Sequence, residues 1–212
     1  MKNRFFALLC AALLLLLCAC TTAPKPEDLL QGSWTRAVTA DAAFVESLLG
    51  YLEFTPEEIA LADPASLYYT EALTFNADKT YSLSDRADEA RVNAIAFFDG
   101  LIATIYDNLD SLESVYGEGA SADFVSLEDF QDFYAYLFEL DSYREVLELF
   151  ADETYEYSAF GEETGTFTAE TDTIHFTVSG ASESEYVDYL LSGNTLTVTY
   201  AEDAISVYTR AA

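Results

Sequence analysis

The sequence is poor in the residues from which most catalytic and metal-binding sites are built. It has a single histidine, His175, and three cysteines, all within the first twenty residues. A Cys/His zinc site or a Cys–His nucleophile therefore cannot be assembled beyond that segment, and a Ser–His–acid triad would have to use His175. His175 alternates with apolar neighbours in a predicted strand, which favours a surface position over a catalytic one.

Sequence motifs for phosphate and metal binding are also missing. The chain contains no glycine-rich phosphate loop, no Gly-x-Ser-x-Gly elbow and no Asp-x-Asp-x-Asp-Gly calcium loop. Its carboxylate pairs, Glu57–Glu58, Glu162–Glu163 and Glu202–Asp203, lie at predicted helix starts or turns, where capping and solvation explain them. We therefore expect no catalytic residue, no metal and no cofactor, and a protein that is not an enzyme. A weak calcium site with oxygen ligands is the one alternative.

Positive charge is scarce as well. Nine Lys and Arg residues face 38 Asp and Glu residues, which gives a formal net charge of −29. Such a field repels phosphate backbones, so nucleic-acid binding is excluded. The acidity serves either solubility on an extracytoplasmic surface or the attraction of a cation or a basic partner. Fifteen Tyr and fifteen Phe residues set the chain apart from a disordered acidic tail and predict a packed core.

The only long apolar run is at the amino terminus. Lys2 and Arg4 precede an almost unbroken apolar stretch over residues 5–17, and a segment with two prolines follows at 21–26. The run is too short to span a bilayer as a mature helix, so it predicts a secretory signal peptide. An uncleaved signal anchor or an ordinary signal peptide without lipidation is the alternative.

The end of this run, Leu17-Cys18-Ala19-Cys20, resembles the lipobox of bacterial lipoproteins. The resemblance implies cleavage after Ala19, which makes residues 1–19 the signal peptide, and a diacylglyceryl thioether on Cys20. The mature protein would then be held to a membrane on its extracytoplasmic face, with residues 20–28 as a tether. Cleavage would also remove two basic residues and no acidic one, which leaves a net charge of −31 and no thiol for a disulfide.

The first third of the mature chain predicts strands and short helices. Residues 32–38 form a first strand, and 67–75 and 80–84 form a hairpin around a turn at 76–79. Between them, Asp41 caps one short helix. Thr55 and Glu58 form a capping box at the start of another.

The middle of the chain predicts helices, and its end predicts strands. Apolar residues recur at intervals of three and four from Val92 to Tyr116 and from Phe130 to Phe150, which places them on helical stripes. A break is expected near Asp141. Alternating apolar residues then predict short strands at 174–178, 187–191, 196–200 and 205–210. The expected fold class is α+β: an antiparallel meander closed into an up-and-down barrel, with a helical insertion over about 85–150.

Several short motifs in this order resemble the small lipocalin-like, calycin-type domains of exported bacterial lipoproteins. They are the opening Gly32-x-Trp34, the hairpin sequence of residues 73–81, Gly165-Thr166-Phe167, the turn of 191–196 and the terminal Tyr208-x-Arg210. The resemblance covers residues 29–84 and 154–210 within a domain of 29–212. It implies that Trp34 is buried at the closed end of the barrel and that Arg210 packs over its indole.

Three functional hypotheses follow. In the first, the protein is a membrane-anchored binding module, and Phe98, Ile102, Phe133 and Leu137 close the barrel mouth around a small apolar or aromatic ligand. In the second, it is an envelope protein that docks a protein partner through its acidic or helical face. The third, an enzyme, has the least support because the inventory of catalytic residues is so thin.

Overall fold

Eight antiparallel strands form one closed barrel in the computed structural model, which describes residues 24–158, 162–181, 183–200 and 204–211. Each strand pairs with the next along the chain, and β1 closes the barrel by pairing with β8. The strands are β1 (Gly32–Thr39), β2 (Tyr68–Phe75), β3 (Thr80–Asp85), β4 (Glu162–Ala169), β5 (Thr173–Val178), β6 (Glu185–Ser192), β7 (Thr195–Thr199) and β8 (Ile205–Arg210). The closing pair β1–β8 is short, with Trp34 opposite Arg210 and Thr35 opposite Thr209.

The helices are inserted mainly between strands at one end of this barrel. They are α1 (Pro26–Leu30), α2 (Ala42–Tyr51), α3 (Pro56–Ile59), α4 (Ala87–Asp107), α5 (Glu113–Tyr116), α6 (Ala120–Asp123), α7 (Leu127–Leu137) and α8 (Tyr143–Ser158), with 3-10 turns at Pro64–Ser66 and Leu109–Ser111. Helices α2 and α3 connect β1 to β2, and α4 to α8 connect β3 to β4. The expected α+β class, a lipocalin-like meander barrel with inserted helices, is confirmed.

The barrel has its own apolar core because successive side chains of a strand point to opposite faces. The inward positions of the half remote from the helices are large and buried: Trp34, Leu73, Phe75, Phe167, Ile174, Leu196, Val198 and Tyr208. Gly165 lies in this wall. A side chain there would meet the Thr177 backbone, so the β4–β5 contact needs a residue without Cβ.

The helices enclose a second core, separate from that of the barrel. Its members include Leu48, Leu49, Phe97, Phe98, Ile102, Phe130, Val146 and Phe150. The long helices α4 and α8 pack on each other, and α4 also packs on β2, which fixes the helical layer on the barrel. Within the described residues, no helix combines the length and apolar character needed to cross a membrane.

Two predicted helical features are wrong in detail. The stripe from Val92 to Tyr116 does not form one helix, because α4 ends at Asp107 and a 3-10 turn and the short α5 follow. Val92 is 64% exposed and lies outside the apolar face of α4. The insertion also runs beyond 150, since α8 continues to Ser158.

The end of the predicted tether is not extended. Residues 26–28 start α1, with Pro26 in the first turn and Glu27 and Asp28 beside it. Proline has the φ angle of the first helical turn, and carboxylates favour the positive end of the helix dipole. The signal peptide at 1–19, Cys20 and residues 21–23 lie outside the described residues.

Candidate binding site

The end of the barrel remote from the inserted helices is closed by Trp34 and Arg210. Trp34 is fully buried, and its Nε1 donates to the Leu30 carbonyl at 2.7 Å. The Arg210 guanidinium carbon lies 4.1 Å from the centroid of the indole. Arg210 also donates to the carbonyls of Gln31 at 2.6 Å and Leu29 at 2.7 Å, so α1 is tied to β8. A ligand therefore has no entrance from this side.

One layer above Trp34, the barrel interior becomes polar. Arg36 and Glu71 are paired across β1 and β2, with Nε to Oε1 at 2.6 Å and Nη2 to Oε2 at 3.2 Å. The Tyr208 hydroxyl donates to the same Oε1 at 2.5 Å, and the Arg36 guanidinium lies 5.3 Å from the Tyr208 ring centroid. This layer forms a satisfied polar floor beneath the open end of the barrel.

The electrostatics of the floor keep its groups in fixed protonation states. Burial raises the pKa of Tyr208, and its hydrogen bond to Glu71 raises it further. Burial, the largest single cause, lowers the pKa of Arg36, but the hydrogen bond to Glu71 and the electrostatic interactions with Glu71 and the nearby tyrosines together outweigh it, so the pKa of the guanidinium is raised. Burial also raises the pKa values of Tyr69 and Tyr200. Near neutral pH the floor therefore holds one ion pair among neutral phenols.

A cavity of about 330 Å³ lies between this open end and the helices. It is lined by Val38, Thr39, Ala40, Asp41, Phe44, Leu67, Tyr68, Tyr69, Asp85, Ala90, Arg91, Ala94, Ala151, Thr154 and Tyr155. Val38 and Tyr69 follow Arg36 and Glu71 in the inward alternation of β1 and β2, and Asp85 ends β3 on the same face. The cavity is therefore at the barrel mouth, and we call it the mouth cavity.

Small side chains on the helices leave the room for this cavity. Ala90 and Ala94 of α4 and Ala151 of α8 face it, and all three are buried. Larger residues at these positions would bring side chains into the space between helix and strand. Most of the wall is aliphatic or aromatic, and its other residues are polar: Thr39, Asp41, Asp85, Arg91 and Thr154. Such a wall suits a small apolar or aromatic molecule with one polar edge.

The four residues predicted to close the mouth lie elsewhere. Phe98 and Ile102 are fully buried in the helical core, and neither lines the mouth cavity. Phe133 and Leu137 line a different cleft on the helical side, where Leu137 is 57% exposed. Ala94, Ala151 and their neighbours form the helical side of the mouth cavity. A ligand contact by the four residues stays a prediction.

Part of the mouth cavity had a signal in the sequence. Inward positions of a strand recur every second residue, so the alternation through Trp34 and Arg36 predicts that Val38 also faces the barrel interior. The helical part carries no such signal. Ala94 and Ala151 do not stand out from an apolar stripe, because a small residue marks either a tight helix contact or the edge of a cavity. Among the described residues, no group of three or more His, Cys, Asp or Glu side chains is arranged to hold a metal ion.

A closed, eight-stranded antiparallel meander barrel with inserted helices is consistent with a lipocalin-like fold. The model of a family described as "Lipocalin-like domain" matches residues 111–198. The match begins at the second 3-10 turn, includes α5 to α8 and β4 to β6, and ends within β7. It thus takes in helices that the resemblance of the motifs did not cover, and it leaves out Trp34 and Arg210. No curated protein and no solved structure gives a match to the chain.

Proposed function

We propose that this protein is a lipid-anchored, extracytoplasmic binding protein whose mouth cavity holds a small apolar or aromatic molecule. The observation that carries the proposal is the cavity of about 330 Å³ between an otherwise filled barrel and the helices that cover it. Ligand sites commonly measure about 300–1,000 Å³ and are lined by apolar and aromatic side chains with few polar groups. A lipocalin-like barrel is typically a binding fold rather than a catalytic one.

The volume and the lining of the cavity restrict the kind of molecule that it can hold. A volume of about 330 Å³ accommodates a molecule of one or two rings or a short branched chain, not a long acyl chain. Phe44, Tyr68 and Tyr69 offer ring faces and edges, and aromatic pairs are stabilised by about 0.5–1.5 kcal/mol beyond area burial. Asp85 and Arg91 also line the cavity, the latter ion-paired with Asp152 at 2.7 Å, and these charged groups favour a ligand with a polar edge.

Filling the cavity tests the binding role. Ala94→Leu adds three heavy atoms at a buried position on the cavity wall, whereas Ala96→Leu adds the same atoms at an exposed position of the same helix. Native mass spectrometry of the protein from its own host should show a co-purified molecule on the wild type and Ala96→Leu. Loss of that molecule from folded Ala94→Leu supports the site. Equal occupancy of both variants contradicts it.

The anchoring role rests on the Leu17-Cys18-Ala19-Cys20 motif. Cys20→Ser removes the thiol that the motif offers for acylation, and Cys18→Ser keeps it. In detergent phase partitioning of host membranes, Cys18→Ser should stay with the detergent and Cys20→Ser should move to the aqueous phase. Detergent-phase Cys20→Ser protein would show that lipidation of this residue does not anchor the chain.

The alternative function, docking of an envelope protein partner, is favoured by one surface. Tyr136 of α7 is 82% exposed beside the exposed Leu137. Large apolar side chains that stand together in water mark interaction surfaces when the patch is extensive. Tyr136→Ser with Leu137→Ser should abolish co-purification of a partner and leave the mouth ligand in place. If the double variant keeps the mouth ligand and loses no co-purified protein, the binding module is favoured instead.

A further inference from the structure

A second cleft, of about 590 Å³, opens on the helical side of the molecule. Three separate segments line it: the connection from α2 into α3, the end of α5, and the last turns of α7 with the two residues that follow. Its lining residues are Leu52, Glu53, Phe54, Thr55, Glu58, Val115, Tyr116, Phe133, Tyr134, Leu137, Phe138 and Glu139. We call it the helical cleft. It is separate from the mouth cavity, with which it shares no lining residue.

Five of the residues that line the helical cleft are aromatic, and four of their rings form a continuous chain. Tyr116 and Phe133 have ring centroids 6.4 Å apart, Phe133 and Tyr134 are 6.1 Å apart, and Tyr134 and Phe138 are 6.5 Å apart. Phe54 completes the wall. Aromatic faces carry negative potential, so several rings around one space attract a cation without any charged side chain.

A buried carboxylate lies among these rings. Glu58 is only 5% exposed, and among the described residues no Lys or Arg lines the cleft around it. Its Oε2 accepts from the Thr55 amide at 2.7 Å and the Thr55 hydroxyl at 2.8 Å. The hydroxyls of Tyr116 and Tyr134 donate to its Oε1, the second at 3.3 Å. Both oxygens of Glu58 therefore accept from neutral protein donors, and the hydroxyls of Tyr116 and Tyr134 also lie 2.9 Å apart, within hydrogen-bond distance of each other.

The rim of the cleft is negative as well. Helices α2 and α7 both end there, and helix carboxyl ends carry partial negative charge. Glu53 and Glu139 occupy the left-handed position after each helix, with φ of 66° and 55°. After each of these residues the backbone makes the hydrogen bond that typically ends a helix. Phe54 N donates to the Leu49 carbonyl, and Leu140 N donates to the Ala135 carbonyl. Among the described residues, no lysine or arginine lines the cleft.

We propose that the helical cleft binds a quaternary ammonium group, such as the trimethylammonium group of choline. Five rings and a buried carboxylate match a bulky cation whose charge is spread over methyl groups. The hydrogen bonds that the Glu58 oxygens already accept favour a quaternary ammonium over a primary ammonium. A primary ammonium must replace its hydrogen bonds to water, whereas the Glu58 oxygens already accept from the Thr55 amide and hydroxyl and from the tyrosine hydroxyls. A quaternary ammonium has no N–H group, so it has no such hydrogen bonds to replace when it enters the cleft.

The charge of the ligand can be tested with an isosteric pair. Choline and 3,3-dimethylbutan-1-ol have almost the same shape, but the second has carbon in place of nitrogen and is neutral. Titration of the purified chain, followed by NMR or calorimetry, should show at least tenfold tighter binding of choline. Ethanolamine, a primary amine of similar charge, should bind more weakly than choline. Equal binding of choline and either analogue overturns the proposal.

Variants locate the site. Glu58→Gln keeps an oxygen that accepts from the Thr55 amide and removes the charge, so choline binding should weaken about tenfold while the neutral isostere is unaffected. The matched control is Glu170→Gln, at the exposed β4–β5 turn of the barrel. Equal choline affinity for Glu58→Gln and Glu170→Gln shows that choline responds only to net charge, which refutes the site. If Glu58→Gln does not fold, Phe133→Leu tests the aromatic wall and should weaken choline by threefold or more.

The same chemistry occurs in free solutes and in lipid headgroups. Sedimentation with vesicles of phosphatidylcholine, compared with vesicles of phosphatidylethanolamine and phosphatidylglycerol, separates the two sources. Binding of choline in solution with no preference for phosphatidylcholine vesicles supports a free solute. A preference for those vesicles that Glu58→Gln abolishes supports a headgroup. A preference unchanged in Glu58→Gln, together with no choline binding in solution, overturns the site.

Discussion

The guanidinium of Arg210 stacks on the indole of Trp34 at 4.1 Å, although the two residues come from opposite ends of the described chain. They are directly paired in the register of β1 and β8, the pair that closes the barrel. The contact therefore joins the first strand to the last. Two hydrogen bonds from the same guanidinium, to the carbonyl of Leu29 in α1 and to that of Gln31 just after it, extend the closure to the helix beneath the barrel.

Arg210→Lys keeps the charge but loses the planar group that stacks and donates in two directions. We expect the free energy of unfolding to fall by about 2 kcal/mol, from a lost cation–π contact and lost charge-assisted hydrogen bonds. Urea unfolding measures this value. Arg144→Lys is the control, because that side chain is exposed and should change stability by less than about 0.5 kcal/mol. Equal stability of the two variants would mean that Arg210 does not hold the barrel closed.

The Arg36–Glu71 pair of the polar floor gives a second prediction. Glu71→Leu should lower the free energy of unfolding by about 1–3 kcal/mol, because it leaves the Arg36 charge and the Tyr208 hydroxyl without their partner. The double variant Arg36→Met/Glu71→Leu removes both charges and should recover much of that loss. Chemical denaturation of the two single variants and the double variant measures the coupling. Strict additivity would show that the pair is not coupled.

The sequence predicted the barrel better than the helical layer. Alternation identifies the inward face of a strand directly, and Trp34 and Arg210 carry a recognisable pattern at either end. A helical stripe shows only that one face is buried. It cannot tell whether that face meets another helix or the barrel, so Phe98 was expected at the mouth and lies in the helical core.

The sequence does not predict the helical cleft, for a different reason. Its aromatic residues come from segments that meet only after the helices pack, and each ring alone is typical of a core. Glu58 was recognised as part of a capping box, which it is, since its side chain accepts from the Thr55 amide. Glu58 also accepts hydrogen bonds in the helical cleft from Tyr116 and Tyr134, which come from α5 and α7. No local pattern relates those residues to Glu58.

Buried tyrosines predict a loss of stability at alkaline pH. Burial raises the pKa of Tyr208 and of Tyr134 in the folded protein, and neighbouring carboxylates add to the shift. Above about pH 10 the unfolded chain releases these protons and the folded chain retains them. The unfolded state then binds fewer protons, so stability falls with rising pH, by about 1.4 kcal/mol per pH unit for each such group.

Urea midpoints between pH 8 and pH 11 measure this dependence. They should be flat up to about pH 9 and then decline. Tyr208→Phe and Tyr134→Phe should each reduce the slope of the decline, since neither phenylalanine has a proton to release. The control is Tyr136→Phe, whose side chain is exposed. A slope that is the same in all three variants would show that burial of these phenols does not drive the decline.

Gly165 gives a prediction that separates a crowded glycine from an unconstrained one. A Cβ at this position would lie 2.2 Å from the Thr177 carbonyl oxygen and 2.7 Å from Cε1 of Tyr81, so β4 and β5 would have to move apart. Gly165→Ala should therefore lower the free energy of unfolding by about 2 kcal/mol or more.

Gly100→Ala is the matched control, since Gly100 lies inside α4 with nothing within 4 Å of a Cβ. Alanine is favoured over glycine in a helix by about 1 kcal/mol, so this change should raise stability. The same substitution then has opposite signs at the two sites, and thermal or urea unfolding decides the matter. A neutral Gly165→Ala would mean that the barrel wall can widen there, and that the close approach of β4 and β5 does not determine the width of the barrel.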